Sequence, residues 1–322
     1  MNALTNLSMV EAADAVKRGE VTSVALVEAC LARIAAHGGP VNAVIRLDKA
    51  EALEAAAAVD KARASGAVLG PLAGVPMMHK DMYYRAGKVS GCGSKIRRDF
   101  RPKITATVLR RLDDAGAIDM GTLNMAEFAQ NPTGHNVHFG DCHNPWNLPY
   151  CTGGSSSGSG AGVAARFFYA ALGSDTGGSI RLPATICGVT GLKGTQTRVS
   201  RAGAMPLSFT MDNVGPLTRT ARDAARFLRV TAGADPRDPT SSHEPVPDYE
   251  AALTGDIRGL RIAVPEQYFF DDADDVVVRA FDRALEVLKA RGATDGECSN
   301  TLGVRLRHPP SALRAPSPSG GR

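Results

Sequence analysis

Two stretches carry residues that could attack an electrophilic carbon. "CTGGSSSGSG" begins at Cys151 and "GSDTGGSIR" begins at Gly173, with an apolar, alanine-rich segment between them. A serine hydroxyl becomes a nucleophile only when a base within hydrogen-bond reach takes its proton. Neither run has a histidine beside it. His135, His138 and His143 lie in "GHNVHFGDCHNPW". With Asp141 and Cys142 they could be imagined as metal ligands, but the spacing fits no standard zinc pattern, and ordinary loop hydrogen bonding is the expectation. The other candidates are neighbours in "GVPMMHKD", His79 and Lys80. On a strand, neighbours point to opposite faces, so only one of them can face the serine loops. Periodicity alone leaves that choice open, and a lone strand lysine is more often a surface charge.

The elements that must position these residues read as α/β. Ser8-Met-Val-Glu11 fits a capping box. Val27, Cys30, Leu31 and Ile34 give one apolar stripe on a helix over 23–36. Residues 49–65 read as a third helix, ended by Gly66. "GVPMMHKDMYY" (74–84) reads as a buried strand, 104–115 as an amphipathic helix, and "AIDMG" (117–121) as the next strand. Residues 157–171 suit a closely packed helix, and "ALGSD" (171–175) a strand running into the "TGGS" loop. Such alternation implies a mostly parallel mixed sheet flanked by helices on both faces. The expected organisation is an N-terminal helical segment (1–68), an α/β core (69–292) and a disordered tail (293–322).

That tail rests on composition. "LRIAVP" (260–265) is a strand and 274–291 a strong amphipathic helix. Such a unit normally feeds a second parallel strand. None is visible in the sequence, where an Arg/Pro/Ser-rich stretch without acidic residues runs from Ser299 to Arg322. The fold is expected to stop in mid-unit, as after a truncation or frameshift.

Bulk properties narrow the class. The chain has 322 residues, 43% hydrophobic and 22% charged, with a net charge of +4. That charge is too mild to imply nucleic acid, and the basic "SKIRRDFRPK" (94–103) reads as a solvated loop. The six cysteines form no C-x-x-C pair. No signal peptide or membrane-length apolar run stands out, so free thiols in the cytoplasm are the expectation.

Several segments then occur together in one order: "GVPMMHKD", "NMAEFA" (124–129), "NPW" (144–146), "TGGSSSGSGAGVAA" (152–165), "GSDTGGSIRLPA" (173–184), "GVTGLKGTQTRVSRAG" (188–203) and "DNVGPLTRTARDAA" (212–225). In this the chain resembles the amidase signature family, over roughly 5–292. The resemblance implies a Ser–cisSer–Lys set that needs no histidine. Ser179 would be the nucleophile, Ser155 a bridging serine held by a cis peptide, and Lys80 the base. The interval 179 − 155 = 24 agrees with the family's. Burial would lower the pKa of Lys80 and let it accept a proton through Ser155. Backbone N–H groups of Thr176, Gly177, Gly178 and Ser179 would form the oxyanion hole. Asp175, Arg181, Ser156, Asn124 and Glu127 would support the site. No cofactor or metal is implied.

The resemblance implies hydrolysis of a small-molecule carboxamide through an acyl-enzyme. The mechanistic alternative is the A subunit of a glutamine-dependent amidotransferase, working with partner subunits. A homodimer is compatible with either, and neither membrane nor direct nucleic-acid binding is expected. An inactive truncated remnant and a nucleotide-binding protein are competing readings. The latter lacks G-x-x-x-x-G-K-[ST]. The sequence departs from the family at Gly194, where proline is usual after "GLK", at Ser157, where glycine is commoner, and in the C-terminal part.

Overall fold

The computed structural model describes residues 3–265 and 269–298. They fall into two compact units, divided between Ala252 and Leu253.

The first unit opens with α1 (Met9–Arg18), capped by the reciprocal Ser8–Glu11 box. Helix α2 (Ser23–Val41) runs five residues beyond the expected end at 36 and includes Pro40. Asn42 stops it in the left-handed conformation (φ 51°). The Asn42 side chain is held by Phe139 O and Asp141 O, a tertiary anchor that no local signal announces. Alone among the described helices, α2 has the length and mean hydropathy of a membrane-crossing segment. Its Leu26, Val27, Cys30 and Leu31 are buried in the protein core, which accounts for that apolar character. Strand β1 (Val44–Leu47) and helix α3 (Lys49–Ala64) follow.

Next come β2 (Pro76–Lys80), α4 (Thr107–Asp114), β3 (Ile118–Leu123), α5 (Ser157–Ala164), β4 (Ala170–Asp175) and α6 (Arg181–Cys187). Strands β5 (Thr190–Gly191) and β6 (Asn213–Thr218) and helix α7 (Ala221–Thr231) complete this unit. The six strands order as β1-β3-β2-β4-β6-β5. The sheet is mixed: β3-β2-β4 is parallel, and β1, β6 and β5 pair antiparallel on either side of that centre. The parallel part is narrower than helix–strand alternation suggests, because β1 and β6 gave no clear strand pattern. Strand β6, "NVGPLT", carries Gly215 and Pro216 at its middle. The two-residue β5 beside it removes little from the ladder there.

Helix α5 is shorter than expected. Arg166 turns left-handed (φ 58°), and Phe167, Phe168 and Tyr169 then lead directly into β4, all buried. One hydrophobic core runs from Met9 to Ala232. The 1–68 segment is therefore no separate body: β1 joins the central sheet, and α1 and α2 share the core.

The second unit holds β7 (Arg261–Pro265), α8 (Asp275–Ala290) and β8 (Thr294–Cys298). The strands pair in parallel, from Arg261 opposite Thr294 to Pro265 opposite Cys298. This corrects the expectation that the strand–helix unit stays unfinished. "TDGEC" lacks the β-branched alternation of a strand, and its register is set by β7. Residues 299–322 of the expected tail lie outside the described residues.

Candidate active site

Strands β2 and β4 are parallel neighbours, so Lys80 and Asp175, their last residues, reach the same edge of the sheet. That edge, outside the carboxyl ends of parallel strands, is where α/β sheets place their sites. The strand pleat separates Lys80 from His79. Lys80 Nζ lies 2.6 Å from Ser155 Oγ and 2.8 Å from Ser174 Oγ. His79 faces the other way, with Nε2 3.4 Å from Asp119. Arg85 Nε also reaches Asp119, at 2.6 Å. Burial raises the Asp119 carboxyl, but His79 and Arg85 more than reverse this and hold it below the usual carboxylate range.

Lys80 is fully buried, and desolvation lowers its pKa from 10.5 to about 7. Asp175 and Asp212 oppose the shift without cancelling it. Next along the chain, burial pushes the Asp81 carboxyl up to about 6, against backbone N–H groups of Gly93 and Gly91.

The serine run sits at the start of α5, and the Gly154–Ser155 peptide is cis. Ser155 and Ser156 are fully buried. Ser156 Oγ donates to Ser174 O (3.2 Å), and Ser156 N–H donates to Ser179 O (3.3 Å). Ser156 therefore ties the serine run both to β4 and to the loop of Ser179. Ser179 is half-buried. Ser157, one of the departures, is buried with an unpartnered Oγ.

The buried Asp175 carboxylate organises the loop that follows. It accepts from Gly178 N–H (2.9 Å), Ile180 N–H (3.2 Å) and Arg181 N–H (3.3 Å). The Arg181 guanidinium adds a bidentate pair at 3.0 and 2.9 Å. Burial raises this carboxyl, and Arg181 with the backbone donors reverses that to a net lowering. Of the four N–H groups expected in the oxyanion hole, that of Gly178 is therefore engaged by Asp175 in this structure. Among the described residues, the N–H groups of Thr176, Gly177 and Ser179 make no hydrogen bond. Thr176 Oγ donates to Asp212 (2.6 Å).

Asn124 and Glu127 lie in the neighbouring loop. Asn124 is buried and donates to Asn42 O and Gly140 O, while Glu127 accepts from Ser94 Oγ and pairs with His138. Neither bonds to Lys80, Ser155 or Ser179. His135 pairs with Asp141, and His143 Nδ1 lies 2.9 Å from Leu148 O. The three histidines therefore face separate partners.

Sequence reasoning missed Ser174, the second neighbour of Lys80 Nζ. Its only signal is a serine inside an otherwise apolar strand. It also missed Asp212, which braces Thr176 and also accepts from Leu207 N–H and Ser208 N–H. Beside them opens a cavity of about 280 Å³ bordered by Ser174, Asp212, Met82, Met205, Phe209 and Val214.

The amidase family profile matches residues 25–301. The chain is 47% identical over 313 residues to the A subunit of the glutamyl-tRNA(Gln) amidotransferase of Roseiflexus sp. (strain RS-1). That match covers 97% of this chain and 63% of the relative. The native peptide amidase from Stenotrophomonas maltophilia superposes with a TM-score of 0.84 at 36% identity, covering 91% of this chain and 62% of that one. The A subunit of the Thermotoga maritima glutamyl-tRNA(Gln) amidotransferase gives a TM-score of 0.81 at 31% identity, covering 92% and 62%. The chain thus spans less than two thirds of these relatives. With the profile matched across most of its length and the mixed sheet shared with solved structures, this chain belongs to the amidase signature family.

Proposed function

We propose that the chain cleaves a carboxamide C–N bond with Ser179 as nucleophile, Ser155 as proton relay and Lys80 as base. The observation that carries this is the fully buried Lys80, its pKa drawn down to about 7, with Nζ 2.6 Å from Ser155 Oγ. A neutral amine has one lone pair and two N–H groups. It can accept from Ser155 and donate to Ser174.

In this reading Ser179 Oγ attacks the amide carbon, giving its proton to Ser155 Oγ as Ser155 gives its own to Lys80. The carbonyl oxygen becomes negative and is met by the open N–H groups of Thr176, Gly177 and Ser179. One such donor is typically worth about 10²–10³ in rate. The C–N bond then breaks, and the leaving nitrogen takes the proton back through the same relay. Water attacks the acyl-enzyme by the reverse proton path, releasing the carboxylate and restoring Ser179. Asp175, Arg181 and Ser156 hold the loop in shape, and the cavity beside Ser174 gives room for part of the substrate. No step calls for a metal or cofactor, and a cytoplasmic location belongs to the same reading.

Intact mass after exposure to a serine-reactive fluorophosphonate tests it. One adduct on the wild type, lost in Ser179→Ala and Lys80→Ala, is the expected result. A folded wild type that takes no adduct would overturn the reading. A second reading is favoured by the 47% identity to an amidotransferase component. There, ammonia released by Ser179 passes to a partner subunit. Glutaminase turnover that appears only with co-purifying subunits would select it.

A further inference from the structure

A second cavity, of about 690 Å³, lies where the C-terminal end of α5 meets α2. The relay occupies the opposite, N-terminal end of α5. All its charged lining has one sign: Arg33, Arg166 and Arg219, with His37 and no carboxylate. Trp146 and Leu148, both exposed, supply an apolar wall.

Each guanidinium is fixed by a neutral acceptor. Arg33 Nε donates to Ala165 O at 2.5 Å, Arg219 Nη1 to Thr5 O at 2.7 Å, and Arg166 Nη1 to Asn6 Oδ1. Arg85 and Arg226, by contrast, pair with carboxylates, Arg85 with Asp113 and Asp119 and Arg226 with Asp14 and Glu250, while Arg111 and Arg198 are, like these three, held by neutral acceptors. In this cavity the cations are oriented and left without a counter-charge from the lining. Arg219 Nη2 is buried with no hydrogen-bond partner, an arrangement that costs stability unless something completes it. Burial lowers the Arg219 pKa, and Arg166 adds to the lowering while Asp223 opposes it. Arg166 also holds a left-handed backbone (φ 58°), a conformation that concentrates at functional positions in a non-glycine residue.

We propose that this cavity binds a small organic oxyanion, a phosphate or carboxylate carried on an apolar body. The planar guanidinium fork matches the oxygens of such groups. The volume is that of a small-molecule site. Trp146 and Leu148 receive the apolar part. The inference stands apart from the amide reading, since it uses none of the relay residues.

Trp146 is the chain's single tryptophan, so its emission reports on this cavity directly. Phenyl phosphate, benzoate, inorganic phosphate and an oligo-glutamate peptide are titrated against the whole chain. The expected result is a saturable emission change with phenyl phosphate, weakened at least tenfold in Arg219→Met and in Arg166→Asn. Asparagine tolerates the left-handed backbone, so Arg166→Asn removes the cation even if Arg219→Met fails to fold. A benzoate response of equal strength supports a general oxyanion site, and a response to phenyl phosphate alone supports a phosphate site. No saturable change with phenyl phosphate or benzoate would overturn the proposal. So would unchanged affinity in Arg166→Asn, or binding of oligo-glutamate or of inorganic phosphate alone.

Discussion

At the scale of the residue, the proposed mechanism turns on Lys80 and its surroundings. Protonated, it cannot act as a base, so activity rises with pH through its pKa of about 7. We expect kcat/KM for amide cleavage to climb about tenfold per pH unit below 7 and to level above it. A pH–rate profile flat from 5 to 9 would remove Lys80 as base. The same shift acts on stability with a definite sign. The unfolded chain holds this proton up to about 10.5, whereas the folded protein releases it near 7. Below pH 7 both states are protonated and the cost of burying the charge is fully present. Between 7 and 10.5 the unfolded state binds more protons, so stability rises with pH, by up to about 1.4 kcal/mol per unit. Comparing urea unfolding of the wild type and Lys80→Met across this window isolates the effect. Lys80→Met should lack that rise and be the more stable of the two at pH 6.

At the scale of the element, α5 carries the serine run to Lys80, and small residues let it approach closely. A Cβ at Gly158 would meet Ala43 O and, at 2.7 Å, Asn124 N, all backbone. Gly158→Ala therefore sets two effects against each other. Alanine improves helix propensity by about 1 kcal/mol, while overpacking costs about 1–3 kcal/mol or more. Backbone neighbours cannot rotate away, so the clash wins. We expect net destabilisation by about 1–2 kcal/mol, read by urea unfolding, together with slower fluorophosphonate labelling as Ser155 is displaced. Faster or unchanged labelling would show that the start of α5 is not held by this contact. The helices α2 and α4 and the strands β2 and β3 were legible in the sequence because their apolar positions repeat at the helical or strand period. Strands β1, β6 and β8 were not, because each is specified by its partner. The ladder of β6 runs along the whole of β4.

At the scale of the whole molecule, the core and the residues of the proposed relay belong to one unit. Lys80, Ser155, Ser174, Ser179 and Asp212 all lie before Ala252. A chain ended at Ala252 is expected to unfold cooperatively and to take the fluorophosphonate adduct at Ser179, at a rate within a fewfold of the full chain. An aggregating or unreactive 1–252 fragment would show that the unit beginning at Leu253 is required for the site.

The sequence by itself determined the family and singled out Lys80, Ser155 and Ser179 as the residues of the proposed chemistry. Linked motifs in fixed order identify residues whatever their spatial arrangement. It also determined that Lys80 and His79 part company, since a strand's pleat allows nothing else. What only the tertiary structure decided is how the loop and the helix end are completed. Asp175 takes the Gly178 N–H and leaves three neighbouring donors open, and Ser174 joins Lys80 from the adjacent strand. Three arginines distant in sequence converge on one cavity without a carboxylate. Such arrangements depend on which chain segments lie side by side, and local pattern holds no record of that.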